Sequence, residues 1–143
     1  YYVGGMPQTA VSLGLDYKTR FFMYFGVDIN YFDRAYLPIN PDRRTVEAVA
    51  GISPDYPTYD LILDQERLSS AFTIDANIGK SWRIDYKYYI SLNLSANNIL
   101  NNTDIITGGY EQYRYDSEDI GKFANKYYYM YGTTFFMNVS FRF

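Results

Sequence analysis

Five segments of the chain alternate apolar and polar residues, and this alternation limits the fold more strongly than any other feature of the sequence. The segments are TAVSLGLDYK, FFMYFGVDINYFD, SAFTIDANIGKSW, YYISLNLSANN and an ending that closes with FFMNVSFRF. Because successive side chains of a strand point to opposite faces, each segment predicts a strand with one apolar and one polar face. Each has about 10 to 13 residues, against about 5 or 6 in a common strand. About 9 to 11 residues suffice for a tilted strand to cross a bilayer, so the strand length matches an antiparallel transmembrane β-barrel within the all-β class. Alternation alone does not distinguish such a barrel from a soluble sandwich.

The connections between the predicted strands differ in length. The strands are predicted at about residues 9–18, 21–33, 70–84, 88–98 and 130–143. Short turns at 18–20 and 85–87 join two pairs of strands, whereas residues 34–68 and 99–129 form two long, polar connections, predicted to be extracellular loops. Short turns on one side and long loops on the other are typical of outer-membrane barrels.

The polar faces of the predicted strands carry Ser, Thr, Asn, Gly and a few Asp, rather than the Lys, Glu and Arg of a face in bulk water. Such residues suit a crowded, hydrated barrel interior. The side chains predicted to face this lumen are Asp28, Asn30, Asp75, Asn77, Asn93 and Asn97. Aromatic residues at the short-turn end of the apolar face, such as Trp82 and Tyr88, predict an interfacial girdle. Lys80 has the parity of the apolar face, so either it extends toward lipid headgroups or Gly79 introduces a bulge.

Absent residue types exclude several functions. The chain has neither Cys nor His, which excludes disulfides, Ser/His/Asp catalysis, and thiolate or imidazole metal sites. We therefore predict no enzyme activity, no catalytic residues, no bound metal and no cofactor. The net charge of −3 is spread along the chain and leaves no basic surface for nucleic acid. No apolar run approaches the about 20 residues of a membrane helix.

Tyrosine-rich stretches in the two long loops are candidates for ligand contact, because aromatic rings beside polar groups can stack on a sugar or hold a peptide. These candidates are Tyr56, Tyr59, Tyr110, Tyr113, Arg114 and Tyr115. Packing among the loops is the alternative. The stretch DSEDIG has carboxylates spaced loosely like those of a calcium loop, but it lacks the remaining ligands, and a solvated acidic loop is the alternative. The acids Asp60 and Asp64, with Glu66, suggest the carboxylate pair of a glycosidase, but a loop of undefined shape gives no evidence of their separation.

Five strands cannot close a membrane barrel, which needs at least about eight. We therefore expect the remaining strands upstream of Tyr1 or in other chains. The segments GKSWRI, LNLSANNILNNTDIITGGYEQYRYD and KYYYMYGTTFFMNVSFRF resemble the carboxyl end of TonB-dependent outer-membrane receptors of the Bacteroidota type. These include SusC-like transporters and relatives with an amino-terminal carboxypeptidase-like regulatory domain. The resemblance extends from about Val11 to Phe143.

The resemblance implies that the chain is the last five strands of a barrel with about 22 strands. Such receptors import a nutrient (a glycan, a peptide or a metal chelate) across the outer membrane. The implied partners are the rest of the barrel and its plug, the TonB complex acting through a plug segment absent here, outer-membrane lipids and, in SusC-like members, a surface lipoprotein lid. In this family the alternating apolar ending serves as an assembly signal, here Phe135, Met137, Val139, Phe141 and Phe143.

Two other functions stay open at this point. One is a secreted, soluble β-rich module that binds carbohydrate through its tyrosines. The other is an outer-membrane barrel enzyme, which the lack of His disfavours.

Overall fold

The computed structural model of the protein describes residues 1–114, 116 and 118–143. Strands make up 46% of it and helices 13%, so the antiparallel all-β part of the fold prediction is confirmed, whereas no closed barrel is seen among the described residues. The strands are β1 Thr9–Lys18, β2 Met23–Asp33, β3 Ala71–Ile84, β4 Tyr88–Asn97, β5 Ile106–Tyr110, β6 Lys126–Tyr129 and β7 Thr134–Arg142. In the described part of the chain, no helix is long and apolar enough to cross a membrane.

The chain folds into two compact units. The first, called the sheet unit below, consists of Ala10–Phe32, Ala71–Asp104 and Met130–Phe143. The second, called the loop unit, consists of Tyr1–Thr9, Asp33–Ser70 and Ile105–Tyr129. The long connections of the sequence therefore fold together, instead of forming separate loops.

The sheet unit contains a five-stranded sheet in the order β1-β2-β3-β4-β7. Strands β2 and β3, β3 and β4, and β4 and β7 pair antiparallel, and side chains of like polarity form rows across the sheet. One apolar row consists of Phe25, Ile78, Leu94 and Met137, and the adjacent polar row of Tyr24, Gly79, Asn93 and Asn138. The pairing thus collects the apolar side chains of separate strands on one face, and β1 and β7 are the two edges.

Turns set where the strands of the sheet begin. Strand β2 begins at Met23, two residues after the predicted start at 21, because Phe22 has a left-handed φ of 56° that interrupts extended backbone. The turn closes where the Thr19 N–H donates to the Met23 carbonyl at 2.8 Å. Between β3 and β4, Asp85 and Tyr86 have φ of 49° and 54°. Two consecutive left-handed residues match the twist of a tight hairpin.

The loop unit has its own apolar core and regular elements. It contains the 3₁₀ turns Pro41–Arg44 and Ile120–Phe123, the helices α1 Val46–Val49 and α2 Pro57–Leu63, and the hairpin β5–β6. Capping residues start two of these turns, because the side chain of Asn40 accepts from the Asp42 N–H and that of Thr45 from the Ala48 N–H. The buried apolar side chains of the described residues are Leu37, Ile62, Leu68 and Ile105, all in the loop unit.

Candidate functional site

One face of the sheet carries apolar side chains in each of its five strands, and these side chains are open to solvent. The exposed fraction is 66% for Leu15 in β1, 60% for Val139 in β7, and still 38% for Phe25 in the interior strand β2. The predicted assembly-signal residues Phe135, Met137, Val139, Phe141 and Phe143 are all exposed. Monomeric soluble proteins rarely expose an apolar patch larger than a few hundred Å². An apolar face of this kind is typical of a surface that contacts another apolar surface.

Glycines on the opposite, polar face make room for longer side chains that lie across the sheet. A Cβ atom at Gly79 would lie 2.1 Å from Cζ of Tyr24, so the tyrosine ring covers this glycine. The Tyr24 hydroxyl donates to Oδ1 of Asn93 on β4, so the side chain extends from β2 across β3. The side chain of Asn77 covers Gly26 in the same way, with Nδ2 at 2.4 Å from the position of a Cβ. Two of the predicted lumen residues, Asn77 and Asn93, thus belong to a closely packed polar surface.

Hydrogen bonds continue across the polar face from β1 to the end of β4. The Ser12 hydroxyl donates to Oδ1 of Asn30 at 2.7 Å, and Nδ2 of Asn30 donates to Oδ2 of Asp75 at 2.9 Å. The other oxygen of Asp75 accepts from the backbone N–H of Asn98 at 2.8 Å. Asp28 is the register partner of Asp75. The structure therefore brings the predicted lumen residues Asp28, Asn30 and Asp75 together.

The last predicted lumen residue, Asn97, lies at the end of β4 and lines a pocket of about 280 Å³ with Asp75, Tyr131 and Thr134. The neighbouring Asn98 was not among the predicted site residues, yet it is only 4% exposed and organises this end of the sheet unit. Its Nδ2 donates to the Tyr131 carbonyl at 3.0 Å.

The segment NNILNN, residues 97–102, binds the part of the chain that leads into β7 through hydrogen bonds. The Asn98 carbonyl accepts from the Thr133 hydroxyl at 2.9 Å, and Oδ1 of Asn101 accepts from the Thr133 N–H at 3.0 Å. Both Asn98 and Asn101 have a φ of 52°, which asparagine tolerates better than most residues. The repeated asparagines were the sequence signal for this turn. Strand β7 begins at Thr134, later than the predicted 130, because the preceding residues are held by these bonds.

Two of the predicted ligand-contact residues come together in the loop unit. Tyr110 and Tyr113 line a pocket of about 240 Å³ with Asn40, Pro41 and Glu111. Tyr113 is 81% exposed, so its ring is free to meet a ligand. The pocket offers two aromatic rings, but the carboxylate of Glu111, which also lines it, is already bonded within the protein.

The other candidates of this set are placed elsewhere. Tyr56 is exposed at the start of α2, and Tyr59 lies half-buried within that helix. The Arg114 guanidinium lies 5.9 Å from the centre of the Phe123 ring. Tyr115 falls outside the described residues. The structure therefore brings together only two members of the predicted tyrosine-rich site.

A larger pocket of about 380 Å³ in the loop unit is lined by residues that sequence reasoning left without a role. Glu66 bonds two other lining residues, because its two oxygens accept from the Tyr127 hydroxyl at 2.8 Å and from Nδ2 of Asn125 at 2.6 Å. Burial, followed by the bond to Glu66, raises the pKa of Tyr127 to about 12, so the phenol stays a donor. Asp64 also lines this pocket, whereas Asp60 is not among the lining residues described.

A buried ion pair connects the two long connections within the loop unit. Arg44 donates to both carboxylate oxygens of Glu111, at 2.6 and 2.9 Å, and the two side chains are only 7% and 4% exposed. The Asn40 N–H donates to the same carboxylate at 2.7 Å. Burial alone would raise the pKa of Glu111, but the bonds from Arg44 and Asn40 outweigh it and leave the pKa below its usual value. The hydrogen bond to Glu111 raises the pKa of Arg44.

One carboxylate of the acidic stretch DSEDIG is paired with a lysine that directly follows the stretch. Oδ2 of Asp116 accepts from Nζ of Lys122 at 2.6 Å, and Oδ1 accepts from the Glu118 N–H at 3.0 Å. The bond to Lys122, more than any other contact, lowers the pKa of Asp116. Among the residues that the structure describes, no three acidic, His or Cys side chains are placed to hold a metal ion.

Fold and surface together define a class: an antiparallel β-sheet protein with one exposed apolar face, one hydrogen-bonded polar face and a separately folded loop unit. No protein-family model, curated protein or solved structure matches the chain.

Proposed function

We propose that the chain forms part of the wall of an outer-membrane β-barrel, as the carboxyl-terminal strands of a TonB-dependent receptor that imports a nutrient. The observation that supports this most directly is the exposed apolar face of the sheet. Burying one large apolar side chain stabilises a protein by about 1.5 to 3 kcal/mol. A face with such residues in all five strands therefore favours strongly a surrounding that is itself apolar, and a lipid bilayer supplies one.

The polar face supports the same proposal from the other side. The centres of its strands carry closely packed Asn, Ser, Tyr, Gly and Asp residues, whereas the solvent-facing side of a soluble sandwich normally carries Lys, Glu and Arg. Its hydrogen bonds are made within the sheet, and such a surface suits the wall of a hydrated lumen.

The two edges, β1 and β7, require partners in this setting, because an unpaired backbone group in lipid costs several kcal/mol. Further strands of the barrel would supply them. The proposed partners follow from this placement and from the family resemblance: the rest of the barrel and its plug, the TonB complex, outer-membrane lipids and, for a SusC-like receptor, a surface lipoprotein.

In such a barrel the long connections would face the cell exterior. The loop unit, with its core and two pockets, would then form a preformed surface at the entrance for the nutrient. Tyr110 and Tyr113 are the proposed contacts for it, because they share one pocket and Tyr113 is open.

Site-directed spin labelling tests the membrane placement, and the absence of cysteine from the chain makes single labels unambiguous in it. Labels at Leu94→Cys and Ser95→Cys lie on adjacent residues of β4 with opposite direction. In the complete gene product reconstituted into vesicles, we expect the Leu94 label to be accessible to oxygen, which concentrates in lipid, and inaccessible to a water-soluble nickel chelate. The Ser95 label should show the opposite preference.

A secreted carbohydrate-binding module is the second candidate, favoured by the pocket that holds Tyr110 and Tyr113. It predicts a protein that remains monomeric in solution without detergent. A label at Leu94 that is reached by the nickel chelate, or by neither reagent, would reject the bilayer placement.

A further inference from the structure

Lys80 is a cation on the apolar face of the sheet. Its register partners are Met23 on β2 and Leu92 on β4, and Leu92 in turn pairs with Val139 on β7. A cation is costly at the middle of a bilayer and nearly free of cost at its interface. If the proposed function holds, the lysine lies on the side that faces lipid, and its charge must be placed where this cost is low.

The register excludes a bulge at this position. The pairing of β3 with β4 runs through Gly79, Lys80 and Ser81 without a shift, and the pairing of β3 with β2 includes Gly79 and Lys80 in the same register. The lysine side chain therefore belongs to the apolar face and does not turn to the polar one.

The Lys80 side chain extends toward the short-turn end of the sheet, where the interface would lie. Nζ of Lys80 donates to the carbonyl of Phe21 at 3.3 Å, and Phe21 lies in the turn between β1 and β2. The ammonium thus reaches the level at which this hairpin ends. It also lies 5.9 Å from the centre of the Trp82 ring. Arg20, next to Phe21 in the chain, adds a second cation at this turn.

We propose that Lys80, with Trp82 and the Phe21 carbonyl beside it, binds the phosphate of a phospholipid headgroup at the short-turn end of the sheet. One carbonyl satisfies one N–H of the ammonium, and no carboxylate pairs with Lys80 in the part of the chain that the structure describes. A lipid phosphate is an anion present at that depth, and indole rings favour the same interfacial zone. This inference rests on the proposed function, because it requires the apolar face to meet lipid.

Trp82, the one tryptophan of the chain, is a probe built into this site. The complete gene product is reconstituted into vesicles of phosphatidylcholine or phosphatidylglycerol with brominated acyl chains, which quench indoles in contact with them. Subtracting the signal of the Trp82→Phe variant isolates this residue. We expect phosphatidylglycerol to bind near Trp82 about fivefold more tightly than phosphatidylcholine, the factor that one basic residue near an anionic surface contributes.

The preference should disappear in Lys80→Met and persist in Lys80→Arg. Lys126→Met is the matched control, because it removes the same charge from strand β6 of the loop unit and should leave the preference unchanged. Equal quenching by the two lipids in the unsubstituted protein, or a preference retained in Lys80→Met, would overturn the assignment. Loss of the preference on adding inorganic phosphate would show a site for free anions instead. Absence of quenching by either lipid would instead contradict the membrane placement itself.

Discussion

Replacing Glu111 by alanine should unfold the loop unit at much lower denaturant concentration. The substitution leaves the Arg44 guanidinium buried at 7% exposure without its two carboxylate bonds, and it removes the acceptor of the Asn40 N–H. Breaking a buried pair by deleting one partner costs about 3 to 5 kcal/mol, because the remaining charge stays uncompensated. We expect a loss of that size in the free energy of opening.

Hydrogen exchange measures this loss locally, through the amides of residues 40–44 and 111–112. Glu118→Ala, which removes an exposed carboxylate from the same unit, is the matched control and should change opening by less than about 0.5 kcal/mol. The double variant Arg44→Met/Glu111→Leu should recover most of the loss, since apolar residues of similar volume often replace a buried pair without penalty. A loss below about 1 kcal/mol for Glu111→Ala would refute the reasoning. So would additive effects of Arg44→Met and Glu111→Leu, each measured alone, in the double variant.

The same pair sets a pH dependence. The pKa of Glu111 in the folded protein lies below its unfolded value, so its stabilising contribution is fully present above the unfolded pKa of about 4.3. The contribution is lost as pH falls from there through the folded pKa, when protonation of the carboxylate breaks the pair. Opening of the loop unit should therefore become easier on acidification below about pH 4 in the unsubstituted protein, and much less so in Glu111→Leu combined with Arg44→Met.

Two further predictions concern the sheet unit. Gly79→Ala should displace the Tyr24 ring and lower the free energy of unfolding in detergent by about 1 to 3 kcal/mol. Gly108→Ala is the control and should lower it less, because a Cβ there would lie 3.9 Å from its nearest neighbour. Equal losses for the two variants would contradict the packing of Tyr24 on Gly79. Asn98→Ala should cost about 1 to 3 kcal/mol, because it removes a buried side chain that donates to the Tyr131 carbonyl. Hydrogen exchange at residues 131–134 should rise; unchanged exchange there would show that the asparagine does not hold β7.

Sequence reasoning was most effective where the physics is local. The direction of a side chain on a strand depends only on its position in that strand, so alternation assigned Leu94 and Ser95 to opposite faces without knowledge of their neighbours. The hairpin at 85–87 could also be predicted from the sequence, because a short polar break between two alternating segments admits only a tight turn. The fold of the loop unit could not be predicted, because its elements are short and its core residues are distributed over two separate connections.

The candidate site divides in the same way. The alternation of the strands assigned Asn30 and Asp75 to the polar face. Their hydrogen bond joins two residues that are 45 positions apart in the chain, and it became visible only from the pairing of β2 with β3. Tyr110 and Tyr113 could be predicted to lie close together because they are near in the chain. Tyr56 and Tyr59 matched the same composition, yet the fold places them in and before α2, away from that pocket's lining.

What the sequence alone determined is the alternation, and with it an antiparallel β fold whose strands have an apolar and a polar side. What only the tertiary structure decided is which groups meet: Arg44 with Glu111, 67 residues away, and Lys80 with the carbonyl of Phe21. The physical reason is that periodicity follows from the geometry of a single strand, whereas a contact between distant residues depends on register and chain path. Those are set by the packing of the whole chain.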